Sequence, residues 1–255
     1  MSNEFDPNEA LKHLRLVWNG YKGRPTFELR IIPPRWRKGY PLVKLFKTPE
    51  DAVDWLKASW KGLELWKKNV FYGVLPRYGR VEGAGRSEDV RYANVVFCDL
   101  DFHEEMNLME ALLMGKIGED LVKEGVHEKG DQTIVVEGGK VSIIKKPKVD
   151  EILELMLDRV GRKPSLIVDS GHGYHVYFIL EKTVSVVEWS FIQSRFVELL
   201  KGDERVKDPA RLLRVAGTIN PRYRSLPVRC KIVYESVERL PVNANQGDVS
   251  GLLSS

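Results

Sequence analysis

Apolar residues recur along this chain at two spacings, and the switches between them mark out its elements. Residues 9–19 (EALKHLRLVWN) follow the helical period and predict a short amphipathic helix. Residues 26–32 (TFELRII) alternate as a strand does and stop at Pro33 and Pro34. Thr48, Pro49, Glu50 and Asp51 form a helix start, with a capping hydroxyl, proline at the first position and acids in the first turn. Ala52, Val53, Leu56 and Trp60 continue it at helical spacing, and Trp55, Trp60 and Trp66 fit packing better than base stacking. Residues 69–75 and 92–100 predict strands, separated by a loop rich in glycine and arginine.

From His103 to Pro147 the character changes. A helix rich in Met, Glu and Lys is expected over 105–123, then a hairpin whose arms, 133–136 and 141–144, meet at Gly138 and Gly139. This stretch reads as an insertion on the core. Helices over 149–160 and 186–200 flank two strands, 165–169 and 174–180, and a last short strand lies at 231–234. Residues 241–255 are expected to fray as a flexible tail or linker. The order mixes both element types, so the expected class is α/β (α+β) on a largely antiparallel sheet.

Composition narrows the function classes only a little. The chain has 255 residues, 30% charged, with a formal net charge of +4, which tolerates a polyanionic partner without requiring one. Its two cysteines, Cys98 and Cys230, exclude a disulfide framework and a zinc site built from cysteine. No apolar run has the length of a membrane span and the first residues are polar, so a cytoplasmic location is expected. No glycine-rich loop ending in Lys-Ser or Lys-Thr is present, so this chain carries no helicase motor of its own.

Three segments carry candidate chemistry. Asp99 and Asp101 close an apolar strand, and residues two apart on a strand share a face. Two acids held together repel and lose hydration, a cost that a hard cation such as Mg²⁺ offsets; two solvated acids at a strand end are the plainer alternative. The second segment, 168–177 (VDSGHGYHVY), joins two strands through Gly171 and Gly173 and starts the returning strand at His175, in reach of a phosphate oxygen. His172, in the loop, is expected to be exposed, and an ordinary glycine hairpin with incidental histidines is the alternative. The third, 207–220 (KDPARLLRVAGTIN), sets Asp208 beside Arg211 and Arg214, which can fork onto phosphate; a capped helix with wet arginines is the alternative. Arg77 and Arg80 lie in a basic loop after a strand, placed to track a phosphate backbone, although such loops also occur merely for solubility.

In this order the motifs resemble the archaeo-eukaryotic primase superfamily, particularly the plasmid- and virus-type primase-polymerases of archaea. Asp99-Leu-Asp101 matches the family's first motif, Gly173-Tyr-His175 its small-x-His motif and Asp208 its third acid, while residues 214–220 look like the segment Arg-Leu-x-Gly-Thr-x-Asn with Val215 for Leu. Because the small residue is Gly173, the hydroxyl contact falls to Ser170. The resemblance implies a catalytic domain over 1–240, interrupted by the insertion at about 103–147, in which a small αβ module packs on an RRM-like module. It implies template-directed nucleotidyl transfer with two ions of Mg²⁺ or Mn²⁺ on Asp99, Asp101 and Asp208. His175, Ser170, Arg211 and Arg214 would then bind nucleotide, and Arg77 and Arg80 the template. The implied partners are single-stranded DNA, a primer, nucleoside triphosphates and a helicase domain or other replication protein. Two other classes stay open. A rolling-circle initiation nuclease needs two histidines on one strand face, whereas His172 and His175 are three apart. A non-catalytic nucleic-acid-binding module would be hindered by its own carboxylates.

Overall fold

The computed structural model describes residues 4–79 and 82–242. Helix α1 (Pro7–Val17) starts where the Asp6 carboxylate accepts from the amides of Asn8 and Glu9, both at 3.1 Å, and it buries Ala10, His13, Leu14 and Val17. Strands β1 (Phe27–Ile32) and β2 (Leu42–Phe46) form an antiparallel pair. Helix α2 (Pro49–Ser59) begins as expected, Thr48 Oγ1 accepting from Asp51 N at 3.1 Å. Strand β3 (Asn69–Gly73) pairs with the other edge of β1.

Strand β4 (Tyr92–Asp101) opens a second module. Next come the insertion elements: β5 (His103–Asn107), α3 (Leu108–Leu113), β6 (Gly125–Lys129), β7 (Gln132–Glu137) and β8 (Lys140–Ile144). The chain continues through α4 (Val149–Val160), β9 (Leu166–Asp169), β10 (Gly173–Ser185) and α5 (Val186–Leu200). It ends with β11 (Leu212–Arg214), β12 (Ile219–Asn220), β13 (Val228–Arg229) and β14 (Lys231–Glu235).

One four-stranded sheet runs β11-β3-β1-β2 and a second runs β14-β9-β10-β4, both antiparallel throughout. Without the insertion, the second module reads β4-α4-β9-β10-α5-β14, the split β-α-β-β-α-β order. The two modules share one apolar cluster, containing Leu29 and Tyr72 from the first and Phe97, Tyr177 and Trp189 from the second. A buried polar chain crosses between the sheets. Ala216 N donates to His13 Nδ1 at 3.0 Å, which puts the imidazole proton on Nε2, 3.1 Å from the Tyr72 hydroxyl; that hydroxyl donates to Tyr177 at 3.0 Å.

The insertion departs from expectation. The hairpin β7–β8 forms around Gly138 and Gly139, but the helix expected over 105–123 shrinks to α3. Residues 103–107 instead pair with β8 and residues 125–129 with β7, giving a sheet ordered β5-β8-β7-β6. The open hairpin edges claim both segments, and Gly115, with φ at 65°, ends the helix between them. This sheet buries a small cluster of its own around Ala111, Ile134 and Val141. The tail beyond residue 242 lies outside the described residues.

Candidate active site

The ends of β4 and β10 form the base of the site. In their register Asp99 faces His175 and Asp101 faces Gly173. A Cβ on Gly173 would sit 2.1 Å from the Leu100 carbonyl oxygen, so the close approach of the two strands here requires glycine. His175 is buried, with Nε2 at 3.7 Å from Asp99 Oδ1 and Nδ1 without a partner among the described residues. Burial, opposed only in part by the Asp99 charge, pushes its pKa down to about 4, and the ring is neutral at pH 7.

A residue that sequence reasoning passed over completes this corner. One guanidinium nitrogen of Arg211, Nη2, lies 3.2 Å from Asp99 Oδ2 and 3.0 Å from Asp203 Oδ2. Asp203 arrives there because α5 ends on Lys201 in the left-handed region and Gly202 follows. A Cβ on Gly202 would meet Cys98 Sγ at 2.1 Å, and its absence lets Asp203 N reach the Asp99 carbonyl at 3.3 Å. Burial raises the Asp203 pKa, but hydrogen bonds from Arg205 and the charges of Arg211 and Arg205 outweigh it and hold the carboxyl below its usual value. The signal in the sequence was a Gly-Asp pair directly after a predicted helix, too common to single out.

Asp101 belongs to a second chain of contacts. His103 Nδ1 lies 2.7 Å from Asp101 Oδ1, and its Nε2 lies 2.5 Å from Arg222 Nη2. Arginine can only donate, so Nε2 accepts and Nδ1–H donates to the carboxylate. Arg222 also pairs with Glu105 at 3.6 Å. Burial raises the Asp101 pKa, yet the His103 hydrogen bond and the charge of Arg222 bring it below its usual value. The insertion thus supplies a neighbour of Asp101 through its first residue.

The remaining candidates are placed as follows. Asp208 is not brought to the first pair: its Oδ1 accepts from Ser87 Oγ at 2.5 Å and from Ala210 N at 2.9 Å, which makes it a turn cap. Arg77, expected on the template, is instead fully buried. Its guanidinium donates to the carbonyls of Leu75, Pro209 and Ala210 and sits 3.5 Å from Glu28, so it pins loops together and has no free face. Arg80 lies outside the described residues. Ser170 Oγ donates to the Gly173 carbonyl at 3.1 Å, inside its own hairpin. Arg214 donates to Asn69 Oδ1 at 2.6 Å and stacks over Phe71 with 4.7 Å to the ring centre. His172, expected to be exposed, is buried against Tyr223, their ring centres 4.8 Å apart, and neither ring nitrogen has a partner among the described residues. Burial, aided by the charges of Arg222 and Arg214, pushes its pKa down to about 3.

Among the described residues no three His, Cys, Asp or Glu side chains converge as a metal-binding group, and a guanidinium lies between Asp99 and Asp203. No helix there is long and apolar enough to cross a membrane.

No family model and no curated protein matches the sequence. Solved structures do match the fold. The AEP domain of the cyanophage S-2L primase-polymerase aligns over 98% of this chain and 97% of its own, with a TM-score of 0.59 and 17% identity. The primase RepB' aligns over 91% of this chain and 57% of its own, with a TM-score of 0.55 and 11% identity. The catalytic domain of RepB' in complex with initiator DNA aligns over 91% and 87%, with a TM-score of 0.53 and 11% identity. All three are described as primases, one from a phage and two bearing the RepB' name. This chain shares its fold with the AEP domain of the cyanophage primase-polymerase and with the primase RepB'.

Proposed function

We propose that the chain is a nucleotidyltransferase that joins nucleotides on a single-stranded DNA template, as primase or polymerase. The observation that carries this reading is the pairing of Asp99 and Asp203 through one Arg211 nitrogen, beside Asp101 and across from His175. Two carboxylates brought from positions 99 and 203 to one point form an all-oxygen donor pair of the kind a hard divalent ion takes, and Arg211 holds their charges together in its place. Mg²⁺ or Mn²⁺ would be held by Asp99, Asp101 and Asp203 once Arg211 gives way and the three carboxylates, which do not converge in this arrangement, draw together. In this assignment Asp203 takes the place that the family resemblance implies for Asp208.

When bound, the metal supplies a lowered pKa for the attacking 3′-hydroxyl and charge stabilisation for the departing pyrophosphate. The protein's own groups do the rest. Arg211 competes for the same carboxylate oxygens as the metal, and once displaced from them it offers its donors to a triphosphate. His175 stays neutral at pH 7 and so keeps one N–H for a phosphate oxygen without repelling the metal. His103, held by Arg222, aims the Asp101 carboxylate. The rolling-circle reading finds less support, because His172 packs under Tyr223 while His175 lies against Asp99.

The test is nucleotide incorporation on a single-stranded template with Mg²⁺ or Mn²⁺, with and without primer, by the parent and by Asp99→Asn. Incorporation by the parent alone is expected. Equal activity, or none in either under any metal, would remove the reading.

A further inference from the structure

At the opposite end of β4 from the carboxylates the structure holds a concavity of about 790 Å³. Lys22, Arg24, Arg91 and Lys182 line it together with Tyr78 and Tyr92, and no acidic side chain is among the described residues that do. We propose that this pocket binds single-stranded nucleic acid, its four cations on successive phosphates and Tyr92 under a base, as a contact separate from the active site.

The charge arrangement carries the argument. Some lysines and arginines elsewhere on this protein pair with acids, as Lys146 does with Asp169, Lys140 with Glu105 and Arg37 with Glu64, and others stand singly on the surface. None of the four pocket cations has an ion pair or a side-chain hydrogen bond among the described residues. Four like charges gathered around one hollow repel, and a polyanion is the ligand that turns this repulsion into attraction. A single phosphate would meet one or two of them.

The aromatic pair supplies the other half. Tyr78 is buried beneath Tyr92, their ring centres 5.5 Å apart at 78°, and Tyr78 Oη donates to the Lys22 carbonyl. Tyr92 stays 45% exposed on that support, a braced ring of the kind on which a base stacks. The hollow also has a local cause. The register of β10 against β4 slips between Ile179 and Val184, and the bulge delivers Lys182 to the rim.

Tyr92 is seven residues from Asp99, roughly 23 Å along the strand at about 3.3 Å per residue. By alternation it also faces the other side of the sheet. The pocket is therefore not a subsite for the reacting nucleotide, and a strand must run on past the site to reach it.

The experiment is a binding titration by fluorescence anisotropy with a labelled oligothymidine long enough to span both sites. It is made in the Asp99→Asn protein at several salt concentrations, so that strand binding is read without any nucleotidyl transfer. Failure of the polymerase reading would appear in incorporation and leave this result intact. Tyr92→Ala and the combined Lys22→Ala, Arg91→Ala, Lys182→Ala variant alter exposed side chains, and thermal melting confirms their fold. Each is expected to bind about tenfold more weakly. The triple variant should also lose about 2 from the slope of log affinity against log salt, at about 0.7 per phosphate, while Tyr92→Ala keeps the slope. Unchanged affinity and slope in the triple variant would overturn the proposal. So would release of the strand by thymidine monophosphate or inorganic phosphate at concentrations close to that of the strand, which would mark a mononucleotide or phosphate site.

Discussion

Arg211 bridges two carboxylates through a single guanidinium nitrogen. Its guanidinium was expected beside Asp208, three residues away, and lies instead on Asp99 and Asp203. Asp203→Asn should therefore reduce incorporation as severely as Asp99→Asn, at least about a hundredfold, because each removes a charge facing the reacting centre. Asp208→Asn should stay within a few-fold of the parent, and primer extension by the three variants side by side decides the assignment. The buried histidines make a second prediction at this scale. His13 and His172 have pKa values pushed down to about 3 and His175 to about 4, all by burial. Their folded values lie below the unfolded one, so the unfolded chain takes up protons first. Stability is then full above about pH 6.5 and falls as the pH drops toward 4, by about 1.4 kcal/mol per unit for each histidine. Urea unfolding at pH 7 and pH 5 should show the loss. His172→Phe should reduce it, since it removes two buried unpartnered nitrogens while keeping the packing on Tyr223.

Among elements, the insertion is the one whose role changes most. Read from composition, it would be dispensable for the chemical step. Yet β5 begins with His103 on Asp101, and Arg222 ties that imidazole to Glu105 of the same strand. His103→Ala should lower incorporation about tenfold, as losses of groups that orient metal ligands do. Replacing residues 103–147 by a Gly-Ser linker should cost at least as much. Wild-type extension by the linker variant would show that Asp101 needs no such support. The loop around Arg77 yields a prediction of stability instead of binding. Glu28 keeps Arg30 and the Gly85 amide as partners, but losing the guanidinium leaves the carbonyls of Leu75, Pro209 and Ala210 without a donor, so Arg77→Met should cost about 1–3 kcal/mol in urea unfolding. The folded fraction should bind template as the parent does.

At the scale of the whole molecule, the site is a seam. Asp99, Asp101 and His175 stand on the second sheet, while Arg211 lies on the segment leading into β11 of the first. The His13–Tyr72–Tyr177 chain crosses the same seam deeper in. A cation bound by Asp99 and Asp203 belongs only to the folded, closed arrangement and must stabilise it. Mn²⁺ at a hundred times its dissociation constant should add about 2.7 kcal/mol, visible as a higher Tm. Asp99→Asn should abolish that shift and Asp208→Asn should keep it. A shift surviving in Asp99→Asn would place the metal elsewhere.

What the sequence determined by itself was whatever depends on neighbours a few residues away. The period of two put Asp99 and Asp101 on one face, the caps at Asp6 and Thr48 started the helices, and the glycines of 171–173 closed the hairpin that carries His175. The order of elements in the second module was legible for the same reason. Tertiary structure decided the rest. Arg211 meets Asp99 across 112 residues, and only the turn at Lys201 and Gly202 decides that Asp203 joins them. Arg77 and His172 look like solvated loop residues until Ala210 and Tyr223 close over them. Residues 103–107 carry no strong strand signal and became β5 because β8 left an edge open beside them. Burial and pairing at such separations depend on how the sheets pack, and no local spacing encodes that.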